Sequence, residues 1–131
     1  MHTQRIILHR WDWIATVYYG TSEQDAGRII RHIEKLNPSP GDLSGARTLL
    51  SSGRRNEGMT FSSYPDRESV IAIGAADSPD EFFNTMLHEG FHLAKHICQC
   101  DGIDPFSEEA AYCMGDLCGK MFSSARGLLC G

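Results

Sequence analysis

Apolar and polar positions along the chain change period several times, and each change marks an element. The first segment, RIILHRWDWIATVYYG, is dense in β-branched and aromatic residues and predicts one or two strands ending at Gly20. TSEQDAGRIIRHIEKLN then switches to helical spacing. Ala26, Ile29, Ile30 and Ile33 fall on one face, Thr21 or Ser22 can cap the start, and NPSPG ends the helix at Asn37. A short helix at DLSGARTLL and a loop through SSGRRNEG are expected next. MTFSSYPDRESVIAIG has the form of a hairpin, with Met59 to Tyr64 and Ser69 to Ile73 as strands around a PDRE turn.

The strongest helix start lies at SPDE. Ser78 is placed to cap, Pro79 to occupy the first helical position and Glu81 to close a capping box. The helix is predicted to run to about Cys100, with Asp101-Gly102 as its stop and Phe83, Met86, Leu87, Phe91, Ala94 and Ile97 buried. A second helix should begin between Pro105 and Glu108, and the tail from Ser123 to Gly131 is expected to fray. The order predicts one α+β domain over residues 1 to 131: a short mixed sheet followed by a C-terminal pair of helices.

Composition narrows the function classes. A formal net charge of −5 argues against a general nucleic-acid or anionic-membrane binder, since neither partner is attracted to an acidic surface. No run approaches the ~20 apolar residues of a membrane span, and the N-terminus lacks the apolar stretch of a secretory signal. Five cysteines are then read as reduced thiols, and a cytoplasmic location is expected.

The candidate chemistry lies in TMLHEGFHLAKH, residues 85 to 96, where His88, His92 and His96 recur every fourth position. His88-Glu89-Gly90-Phe91-His92 has the H-E-x-x-H form. Residues four apart share a helix face, ~6 Å apart along the axis, so two imidazoles can converge on one Zn²⁺. Glu89 is then placed to take a proton from a water and pass it to a leaving amine. His96 is not a ligand on this reading, because it lies two turns from His88, ~12 Å along the axis. It is read instead as a helix-end histidine or a group behind the site.

A catalytic zinc takes a third protein ligand and keeps one position open. Glu108 and Glu109, at the start of the second helix, are the candidates, since that helix can fold back on the first. Acids in a first helical turn also complement the helix dipole, which is the plainer role for both.

These residues resemble the zincin metallopeptidases of gluzincin type, in which H-E-x-x-H is followed by a ligand glutamate on a later helix. The likeness covers residues 68 to 122 and is closest to small single-domain peptidases of phages and mobile elements, and to the ImmA/IrrE peptidases. The latter carry E-x-x-A on the second helix, which Glu108-Glu109-Ala110-Ala111 fits with Glu108 as ligand. The resemblance implies a small zincin-like domain and a zinc-dependent peptidase acting on a protein or peptide. It implies that the strand ESVIAIG edges the cleft, with Gly74, Ala75 and Ala76 leaving room for a peptide, and that Tyr112 steadies the oxyanion. The second lobe of larger gluzincins has no counterpart here, so the cleft would be open or walled by a protein partner. Residues 1 to 67 match no part of that pattern.

Two rival readings stand beside this one. A zincin-fold module that binds without catalysis would share every residue named. A structural zinc site could draw on Cys98, Cys100, Cys113 and Cys118, although their spacing is not that of a zinc knuckle and buried small hydrophobes are the simpler identity.

Overall fold

The structure is a computed structural model and describes residues 1–130. It is an α+β chain. Strands β1 (His2–Leu8) and β2 (Trp13–Thr21) flank a 3-10 turn over His9–Trp11. A second such turn, Glu23–Asp25, leads into α1 (Ala26–Glu34), and α2 (Pro40–Ser52) follows. Then come β3 (Gly58–Ser63), β4 (Glu68–Gly74), α3 (Pro79–Asp101) and α4 (Glu108–Cys130).

The four strands form one mixed sheet in the order β1-β2-β4-β3. β2 and β4 run parallel in the middle, and β1 and β3 pair antiparallel at the two edges. Helices cover both faces, which is why β4 reads as the unbroken run VIAI. Ile71 and Ile73 join one core with Trp13, Tyr19, Met86 and Leu117, while Val70 and Ala72 join the other with Tyr18, Ile29, Ile33 and Leu50.

α3 begins at the predicted cap: Ser78 accepts a hydrogen bond from the Glu81 amide and Pro79 occupies the first turn, but the expected capping box is only half made, with no bond from the Ser78 amide to the Glu81 side chain among the described residues. Its buried stripe differs from the expected one. Phe82, Met86, Leu93 and Ile97 face the sheet, whereas Phe83 and Phe91 are exposed. The sheet and α4 meet α3 on adjoining sides, and the stripe is centred one position away from that predicted by the two phenylalanines.

The C-terminal tail is a further correction. α4 does not fray at Ser123 but continues to Cys130. Ala110, Cys113, Leu117, Met121 and Ala125 keep a buried stripe at helical spacing past the weak formers Ser123 and Ser124, so packing outweighs local propensity.

Candidate metal centre

α3 carries the three histidines on the flank beside edge strand β3, with His88 and His92 exposed and His96 half-buried. His88 and His92 come together: their Nε2 atoms are 3.1 Å apart and their rings meet edge to face at 4.8 Å. Two imidazole nitrogens at ~2.0–2.1 Å from one tetrahedral zinc would be separated by about 3.3 Å. The pair, in which one imidazole hydrogen-bonds the other, has a spacing close to that of two zinc ligands, and the His88 side chain is 64% exposed.

Glu89 is turned the other way, under β3, and is only 5% exposed. Thr60 Oγ1 lies 2.9 Å from Glu89 Oε1 and 3.0 Å from the Glu89 carbonyl, and one hydroxyl proton serves these two acceptors. Glu89 Oε2 stands 4.0 Å from His88 Nε2. A polar cleft lined by Asn56, Glu57, Gly58, Thr85, His88 and Glu89 opens here. A buried carboxylate held at one oxygen, with acceptor capacity left at the other, suits a proton carrier.

Gly58 makes this approach possible. A Cβ there would lie 2.7 Å from the Ala72 carbonyl oxygen and 2.9 Å from Glu89 Cγ. Thr60 and Gly58 share the face of β3 that looks toward α3, two residues apart as strand alternation requires. Neither was marked as functional by the sequence. The one signal the sequence offers is the alternation of small and hydroxyl residues, Gly58, Thr60 and Ser62, along the first strand of the hairpin.

The expected third ligand is not brought to the pair. Among the described residues no group of three or more His, Cys, Asp or Glu side chains is close enough to hold a metal ion. The reason is the length of α3, which overshoots His92 by nine residues to Asp101 before the chain turns. At 1.5 Å per residue, the start of α4 lies about 13 Å down the axis from His92. Gly90, by contrast, faces Leu117 and Cys118 across the helix pair. Glu108 is exposed in the first turn of α4. Glu109 has other partners: it pairs with Arg10 and accepts from Trp11 Nε1 at 3.1 Å. Tyr112 belongs to that same group, with the Arg10 guanidinium 5.2 Å from its ring centre, and is not part of the histidine site.

The cleft's edge is also corrected. β4 is an interior strand, and the free edge beside α3 is β3. Gly74 leaves no room for a peptide, since its amide donates to the Glu57 carbonyl at 2.8 Å and a Cβ would meet that oxygen at 2.7 Å.

Among the described residues the cysteines form no second centre. Cys98 and Cys113 are buried between the helices, and burial, reinforced by Cys98, pushes the Cys113 thiol up to about 12. No helix is long and apolar enough to cross a membrane among the described residues.

Comparison with protein-family models, with curated proteins and with solved structures finds no match. The fold and geometry are those of an α+β chain with two histidines paired on a helix, beside a buried glutamate and a free strand edge.

Proposed function

We propose that this chain is a zinc-dependent hydrolase of peptide bonds, in which His88 and His92 hold the metal and Glu89 carries the proton. The observation that supports it above all is the 3.1 Å approach of the two Nε2 atoms next to a buried carboxylate. His88 and His92 would supply two of the three protein ligands usual for a catalytic zinc, and a water or a group of the substrate would have to stand in for the third. Zinc held there would polarise a carbonyl and acidify a water.

The chain's own groups do the rest. Glu89 takes a proton from a water in the cleft and returns it to the departing amine, while Thr60 fixes the carboxylate so that Oε2 faces the cleft. A peptide would add along the free edge of β3, with main-chain hydrogen bonds setting its register across the histidine pair. An apolar groove lined by Phe83, Leu87, Phe91, Met114, Phe122 and Leu129 reaches His88 from the α4 side. Among the described residues nothing closes over the site, which suits an extended chain or an unfolded protein.

The absence of a third side-chain ligand from the pair favours one other reading, a module that binds metal or peptide without turnover. Glu89→Gln separates the two. With casein as probe, the zinc-loaded protein should lose about 10²- to 10⁴-fold of its activity in this variant while keeping its metal. Equal cleavage by both forms, or cleavage that survives chelation, would sink the mechanism.

A further inference from the structure

His96 has partners of its own. Its Nδ1 is 2.7 Å from Ser62 Oγ, Ser62 Oγ is 2.7 Å from Ser69 Oγ, and Trp13 Nε1 donates to Ser69 Oγ at 2.8 Å. Trp13 and Ser69 are buried. An indole N–H can only donate, so the first bond has a fixed direction. The Ser69 proton then has one acceptor in reach, Ser62 Oγ, and the Ser62 proton has one left, His96 Nδ1.

The reverse order satisfies these groups less well. If Nδ1–H donated to Ser62 and Ser62 to Ser69, the Ser69 proton would lose its acceptor inside the core, and native cores avoid a buried donor without a partner. If Ser69 also donated to Ser62, the half-buried Ser62 would receive two donors and its own proton would have only water in the groove.

We propose that Trp13, Ser69 and Ser62 hold His96 as the Nε2–H tautomer, making it a hydrogen-bond donor to a peptide carbonyl along β3 and not a metal ligand. A protonated Nε2 has no lone pair to offer an ion, and Nδ1 is engaged by Ser62. Burial, followed by His92 and Lys95, pushes the His96 pKa below its ordinary value of 6.5, which keeps the ring uncharged at neutral pH. The His96 ring centre is 6.5 Å from that of His92, about two residues of extended strand. It would therefore hold a carbonyl beyond the reacting bond, as a positioning residue. Thr60, Ser62, Tyr64 and Asp42 line the polar groove into which His96 faces. The substrate role rests on the peptidase reading; the tautomer does not.

Long-range proton–nitrogen NMR of the metal-free protein tests the tautomer directly, with His96 assigned by its loss in His96→Gln. The chain predicts an unprotonated Nδ1 and a protonated Nε2; a proton on Nδ1 overturns it. Ser62→Ala should mix the two forms, and an unchanged pattern in the folded variant counts against the relay. In zinc titrations, His96→Ala should match wild type within about twofold, whereas a tenfold loss would make His96 a ligand. With zinc-loaded protein and casein, His96→Ala should raise KM about fivefold and spare kcat, with partial recovery in His96→Gln. An unchanged KM overturns the substrate role. If wild type binds no zinc, the metal reading of His88 and His92 falls while the nitrogen spectra still decide the tautomer.

Discussion

Thr60 is the most informative single residue for the mechanism, because it touches the proposed base without touching the metal pair. Thr60→Val keeps the shape and removes the hydroxyl that holds Glu89 Oε1. Hydrolysis should fall about tenfold with zinc content unchanged; a full-rate Thr60→Val enzyme would separate Glu89 orientation from catalysis. Gly58→Ala acts on the same cradle by volume, driving a methyl group to within 2.7 Å of the Ala72 carbonyl. It should destabilise the fold by about 2 kcal/mol in denaturant unfolding, and a neutral variant would show that the strand can shift. The sequence makes the two histidines and the glutamate legible because their spacing is local to one helix. Thr60 is not legible, since nothing in a hydroxyl on a strand says which helix will lie beside it. Glu108 is not grouped with the histidine pair in the structure, and the helix stop at Asp101-Gly102, nine residues past His92, is the feature of the sequence that accounts for it.

At the scale of elements, the join between the β3–β4 turn, the β1–β2 turn and the end of α3 rests on Arg67. Its guanidinium donates to the Trp11 carbonyl at 2.6 Å, the Asp12 carbonyl at 2.9 Å and both Asp101 carboxylate oxygens at 2.8 Å. The hydrogen bond from Arg67 holds the Asp101 carboxyl below its ordinary value of 3.8. The folded state therefore binds this proton less well than the unfolded chain. The resulting stabilisation is present above the unfolded value and is lost as pH falls through the lower folded one. Asp101→Asn should cost about 1 kcal/mol at pH 7 and flatten the loss of stability below pH 4; a variant with the wild-type acid limb would remove Asp101 from that role. Element order and most boundaries were legible from caps and periodicity, including both ends of α3. The α4 tail was not, because Met121 and Ala125 continue a stripe whose partner is a distant face of the sheet. The choice between Phe82 and Phe83 depended likewise on where α4 would lie.

For the whole molecule, strand order decides the function assigned to each edge, and strand order is non-local. The hairpin of β3 and β4 is visible in the sequence, but β2 entering beside β4 is not. That pairing buries β4 and leaves β3 free next to Glu89. The thiols give a check on the assembled core: Cys130 should react at once with a thiol reagent, and Cys98 and Cys113 only on unfolding. Rapid modification of all five would contradict the α3–α4 packing. The central claim, that His88 and His92 form a zinc platform on this scaffold, is tested most directly by elemental analysis after zinc supplementation. Wild type should hold one zinc per chain, lost in His92→Ala and retained in Glu108→Ala and Glu109→Ala. A wild-type chain without zinc, or one that keeps a full equivalent in His92→Ala, would contradict it.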